Sequence, residues 1–172
     1  KLKSLSCWKG VLAWTYQPGF VPMSSAASFA LAMTKFGMDL TIASPENYDL
    51  DPAIIKLVEK NIKTYGGSLE ISRDLAKATK GAHVVYATAW PGIPYYGKPE
   101  EEKTVKESLL NWSFTSEIME KTDGGFFMHP TPIKRNVSVV EQVLDSNNCL
   151  VYDQAENWVH AQKTLLLGVL GN

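Results

Sequence analysis

Apolar and polar positions along the chain switch repeatedly between a short continuous run and a helical period. Residues 10–16 (GVLAWTY) are an apolar run that predicts a buried strand. Over 23–36, Ala26, Phe29, Ala30 and Met33 recur at helical spacing, and Gly37 stops that helix. Residues 39–44 (DLTIAS) read as a second strand. Asp51 is a good N-cap with Pro52 at the first helical position; Ile54, Ile55, Val58 and Ile62 form the inner face, and Gly66-Gly67 end the helix. Residues 68–71 predict a third strand, 73–79 a short helix and 83–87 (HVVYA) a fourth strand.

The pattern breaks over 90–102, where Pro91, Pro94 and Pro99 alternate with Gly92 and Gly97. It reads as one long loop, and long loops in compact domains are often functional. Beyond it come a helix over 113–121, a fifth strand at 125–128 (GFFM), a loop over 129–136 and a short helix over 139–144. A sixth strand over 149–152 and a closing helix over 154–170 complete the pattern, with Val159, Leu165, Leu166, Val169 and Leu170 as that helix's core face. This alternation predicts an α/β fold: one domain over 1–172, with a doubly wound, mostly parallel Rossmann-like sheet and helices on both faces. Ligands of such sheets bind beyond the carboxyl ends of the strands. The segments to inspect are therefore 17–22, 44–47, 88–96, 129–136 and 153–158.

Composition acts mainly by exclusion. Apolar residues make up 45% and charged residues 20%, which rules out a disordered chain. Seventeen basic against eighteen acidic residues leave no surplus for gripping nucleic acid. No apolar run approaches the ~20 residues of a membrane span, and residues 1–8 lack a signal-peptide core. Cys7 and Cys149 lie too far apart in sequence to form a ligand pair or a disulfide framework, so no metal is expected and the chain fits a reducing cytosol.

The strand ends carry the candidate chemistry. After the first strand, Gln17-Pro18-Gly19-Phe20-Val21-Pro22 offers one glycine between two prolines. That is not the G-x-G-x-x-G of a dinucleotide site, which disfavours a dehydrogenase; it is either a rigid connection or a shaped wall. After the fifth strand, His129-Pro130-Thr131-Pro132 pins the backbone and offers fixed carbonyl oxygens, because proline brings no N–H of its own. Taken alone, His129 reads as a structural histidine more readily than a catalyst. Lys134-Arg135 suits an anion, or is solvated surface. In Asp153-Gln154-Ala155-Glu156-Asn157-Trp158, capping by Asp153 and the helix dipole explain Asp153 and Glu156, but leave Asn157 and Trp158 unexplained. Trp90 is either core or pocket wall.

Taken in order, these segments resemble the aspartate and ornithine carbamoyltransferases. Residues 128–137 (MHPTPIKRNV) look like that family's His-x-x-Pro loop, residues 153–163 like its final motif and last helix, and residues 36–41 like its second strand. Within the family, residues 14–18 (WTYQP) and 85–90 (VYATAW) look most like the N-acetylornithine and N-succinylornithine branch. That branch is known for a proline-rich loop threaded as a knot, for which 17–22 is the candidate segment. The Ser-x-Arg-Thr motif of the carbamoyl phosphate domain does not occur here, and the chain begins at Lys1 rather than Met. The resemblance therefore implies the second, amino-acid-binding half of a cytoplasmic, homotrimeric enzyme of arginine biosynthesis. Carbamoyl phosphate would be a co-substrate and no cofactor would be needed; neither nucleic acid nor membrane would be a partner.

The resemblance assigns roles residue by residue. The carbonyls of Pro130 and Thr131 would receive the carbamoyl amino group, and His129 would shape the loop. Gln17, Thr88, Trp90, Pro132, Arg135, Glu156 and Trp158 would line the substrate. The chain also departs from the family. Thr88 stands where the acyl-ornithine branch has a lysine, Gln17 where it has a histidine, and Trp158 where the final motif normally carries an arginine. Loss of that cation would cost ~1.5–3 kcal/mol of charge-assisted hydrogen bonding. Two other readings stay open: a paralogue with a different acceptor, and a non-catalytic ligand-binding module.

Overall fold

The computed structural model describes residues 5–171; the reading of the chain start as polar falls partly on residues 1–4, outside the described residues. Five strands form one all-parallel sheet in the order β3-β2-β1-β4-β5. They are β1 (Lys9–Trp14), β2 (Asp39–Ala43), β3 (Leu69–Ser72), β4 (Val84–Thr88) and β5 (Phe126–Met128). The central strand β1 is the most continuously apolar, and Val11 to Trp14 are fully buried, as expected of a parallel strand covered on both faces.

Helices α1 (Ser24–Lys35) and α2 (Pro52–Tyr65) carry the chain outward from β1 to β3 and pack against each other. Asp51 caps α2 by accepting from the Ala53 N–H at 2.7 Å. Helix α3 (Leu75–Thr79) carries the chain back to β4 and packs against α5 (Ser116–Met119). Because parallel crossovers are right-handed, reversing direction puts α3 and α5 on the face opposite α1 and α2. The doubly wound arrangement follows.

Several expectations need correction. The proline-rich stretch is not all loop. It holds a 3-10 turn at Ile93–Tyr95 and then α4 (Pro99–Glu107), with Pro99 at its start and Glu100, Glu101 and Glu102 in its first turn. The sixth strand is absent. Asn148 and Leu150 each exchange one backbone hydrogen bond with Phe127, both 2.8 Å, and the chain then enters α7 (Val151–Leu170). Thirdly, the supposed core face of α7 points outward, with Val159, Leu165, Val169 and Leu170 65–74% exposed. The helices expected over 113–121 and 139–144 shorten to α5 and α6 (Glu141–Leu144), because Phe114 instead bonds along the chain at Ser138 and Val140.

Gly67 fixes the return from α2 into β3. Its φ of +87° favours glycine, and a Cβ there would lie 2.3 Å from the Met38 carbonyl oxygen. Backbone is a hard neighbour, so Gly67→Ala is expected to lose ~2 kcal/mol or more, from left-handed strain plus the clash. Urea melts of the variant beside the parent measure this; an unchanged midpoint would contradict it.

Candidate functional site

Strand order reverses at β1, which lies between β2 and β4, so the connections after β1 and β4 diverge and leave a crevice at their carboxyl ends. The ends of the two strands are tied together. Thr15 N–H donates to the Thr88 carbonyl at 3.2 Å, and Trp14 Nε1 donates to the Trp90 carbonyl at 2.9 Å. Trp90 Nε1 in turn donates to the Tyr48 carbonyl at 2.8 Å. Thr88 and Trp90 are therefore core residues. Both are buried, and the Thr88 hydroxyl donates to the Ala89 carbonyl at 3.3 Å. Neither lines the cavities described below; an apolar ring with a polar edge serves as a core strut here.

Beyond these ends opens a cleft of about 530 Å³ walled by Tyr16, Pro18, Gly19 and Phe20 on one side and by Pro91, Tyr95, Tyr96 and α4 on the other. Gln17, half-buried, belongs to the same connection. The floor holds charges that sequence reasoning missed. Lys106 is 5% and Glu102 7% exposed, with Nζ and Oε1 3.5 Å apart. Lys106 Nζ donates to the Gly19 carbonyl at 3.0 Å, and Glu102 Oε1 accepts from the Gly92 N–H at 3.1 Å. Burial, then the Glu102 charge, push the nearby Tyr48 hydroxyl well above its ordinary range. A proline start with acidic first turn would have signalled α4, and Glu102 and Lys106 stand at i,i+4.

A second cavity, of about 570 Å³, lies between the start of α1, the end of β5 and the start of α7. His129, Pro130 and Thr131 line it together with Ser24, Ser25, Ser28, Tyr86, Gln154 and Trp158. The structure thus brings the two late sequence motifs to one place. His129 is buried, and its Nδ1 lies 2.5 Å from the Pro130 carbonyl oxygen. A carbonyl only accepts, so Nδ1 carries the proton and Nε2 is left with a free lone pair. That Nε2 is buried and, among the described residues, unpartnered, as is Gln154 Oε1. Desolvation lowers the His129 pKa to about 4, partly opposed by the bond to Pro130. The imidazole is neutral at neutral pH. His129 Nε2 and Gln154 Oε1 are thus two buried acceptors beside the cavity, each left without a donor.

The remaining candidates sit apart or at the rim. Trp158, 69% exposed, forms one wall of the cavity and continues onto the outer face of α7. Glu156 is exposed on α7, and Pro132, after a cis Thr131-Pro132 bond, is also exposed. Arg135 is taken by Asp145, with which it makes two bonds of 2.7 and 3.0 Å, and does not line the cavity. Hydrogen bonding to Asp145 and Tyr152 holds its guanidinium well above the usual range. Asp153 is not a cap; it lies inside the first turn of α7, whose N-cap is Leu150. Among the described residues there is no group of three His, Cys, Asp or Glu that could hold a metal, and no helix is long and apolar enough to cross a membrane.

Comparison with known proteins agrees with this fold. The chain is 37% identical over 164 residues to the N-acetylornithine carbamoyltransferase of Xanthomonas campestris pv. campestris, covering 95% of this chain and 48% of that protein. It is 35% identical over 147 residues to the ornithine carbamoyltransferase of Thermococcus kodakarensis, covering 85% of this chain and 46% of the relative. A crystal structure of acetylornithine transcarbamylase complexed with acetylcitrulline superposes with a TM-score of 0.95 at 36% identity, over 98% of this chain and 51% of that one. The chain spans about half the length of the relatives it matches. Residues 23–169 match the family described as aspartate/ornithine carbamoyltransferase, Asp/Orn binding domain, and the chain belongs to that family.

Proposed function

We propose that this chain is the amino-acid-binding half of a carbamoyltransferase that moves the carbamoyl group of carbamoyl phosphate onto the side-chain amine of an ornithine-like, N-acylated amino acid. The observation that carries the reading is the meeting of the 129–131 loop with Gln154 and Trp158 around one cavity. The relatives' names, and the acetylcitrulline bound in one of them, support the acyl-ornithine acceptor.

The chemistry fits the groups on hand. A neutral amine attacks the carbamoyl carbon. A C–N bond forms, the bond from carbon to phosphate oxygen breaks, and the nitrogen gives up a proton to the departing phosphate. The two N–H groups of the carbamoyl NH₂ donate to the Pro130 and Thr131 carbonyls, which fixes the carbon for attack, while buried His129 shapes the loop that carries them. A histidine held neutral adds no positive charge beside the amine, whose lone pair must stay free. The phosphate and its cations belong to the other half of the protein. That half also covers the apolar outer face of α7, where Trp158, Val159, Leu166 and Leu170 border a shallow cavity of about 590 Å³. The full enzyme is a cytoplasmic homotrimer of arginine biosynthesis. A related transfer to a different acceptor is the second reading, favoured by the burial of Thr88 and by Trp158.

The test is ureido product formation from carbamoyl phosphate by the full-length protein, with ornithine, N-acetylornithine, N-succinylornithine, putrescine and aspartate in parallel. Turnover of an acylated ornithine is expected, and none by this chain alone. A folded full-length protein that turns over none of the five would sink the reading.

A pH prediction follows from His129. Its folded pKa, about 4, lies below the value of 6.5 in the unfolded chain. The unfolded state thus binds the proton first, and stability present above pH 6.5 drains away as pH falls towards 4, by about 3 kcal/mol. Urea midpoints at pH 7 and pH 4 should converge more closely for His129→Asn than for the parent; an equal drop in both would show that another group is responsible.

A further inference from the structure

The 17–22 connection is held by little of its own. Its segment contains two prolines and Gly19 at φ +89°, and Phe20 projects 70% exposed. Among the described residues, its backbone makes one hydrogen bond, the one that the Gly19 carbonyl accepts from Lys106 Nζ. The donor is unusual. An ammonium with its residue 5% exposed loses most of its hydration, and a buried ion pair seldom repays that loss in stability. Well-packed apolar side chains would serve stability as well. What apolar side chains would not do is fix a carbonyl.

The contacts run as a relay. Gly92 N–H donates to Glu102, Glu102 faces Lys106, and Lys106 donates to Gly19. One turn of α4 thereby clamps the connection after β1 to the connection after β4, the two walls of the crevice at the reversal of strand order. We infer that Lys106, held by Glu102, is a positioning residue that sets the shape of the 17–22 wall and so the fit of the acceptor amino acid. The inference rests on the proposed carbamoyl transfer, with the acceptor seated against that wall.

The experiment uses the full-length protein and the variants Lys106→Met and Lys106→Arg. Lys106→Met should raise KM for the acceptor about tenfold, with kcat and the KM for carbamoyl phosphate within about threefold of the parent. Lys106→Arg keeps a donor and a charge, and should restore most of the acceptor KM. Should Lys106→Met fail to fold on account of its unpaired carboxylate, the double variant Lys106→Met/Glu102→Gln takes its place under the same criteria. An unchanged acceptor KM overturns the inference. So does a parallel change in kcat and both KM values that arginine does not rescue, which marks a general loss of structure.

A readout independent of turnover separates this from the function itself. Fluorine NMR of fluorophenylalanine at Phe20, assigned with Phe20→Leu, should narrow or shift in Lys106→Met and return in Lys106→Arg. An unchanged resonance overturns the tether. A parent protein inactive on every acceptor fails the function reading before any variant is compared, and the tether is then decided by the resonance alone.

Discussion

The carboxyl end of β1 is where the molecule is tied together. Three successive residues there bind three distant parts of the chain between them. The Trp14 indole holds the Trp90 carbonyl, the Thr15 hydroxyl reaches the Trp112 and Ser138 carbonyls, and the Tyr16 N–H donates to Trp112. All but the last are side-chain bonds in a dry interior, where a missing partner costs more than a made bond returns. The segments so fixed are those that follow β4 and β5 and build the crevice. The strand at the centre of the sheet therefore also sets the positions of the loops around it.

Most of the fold was legible because local and global preferences agree. The run at β1, the period of α1 and the Asp51-Pro52 start of α2 each say one thing, and tertiary packing says it too. The errors have physical causes. Residues 149–152 are apolar enough for a strand, but β5 is three residues long and leaves room for one bridge before the chain turns into α7. The apolar stripe on α7 was read as facing this domain's core, and periodicity alone cannot tell one apolar partner from another. In α4, three glutamates and a proline at the start were overshadowed by the prolines and glycines before them.

The site was legible where its residues are neighbours in sequence. His129, Pro130 and Thr131 share one turn, and Trp158 lies one helical turn beyond Gln154. Resemblance therefore carried His129, Pro130, Thr131 and Trp158 over together, and passed over Gln154. Thr88, Trp90 and Arg135 line neither cavity, and each has a partner within the fold: the Ala89 carbonyl, the Tyr48 carbonyl and the Asp145 carboxylate. Lys106 was invisible for the opposite reason. A lysine four residues after a glutamate on a charged helix reads as solvated surface, and only the packing of distant loops over it makes it interior.

The two cavities are furnished by different parts of the chain. One draws on the connections after β1 and β4 with α4; the other on the starts of α1 and α7 and the end of β5. Substitutions at Phe20, Tyr95 or Tyr96 leave the His129 turn untouched. On such a plan, mutation can reshape the lining of one hollow while the other is inherited unaltered.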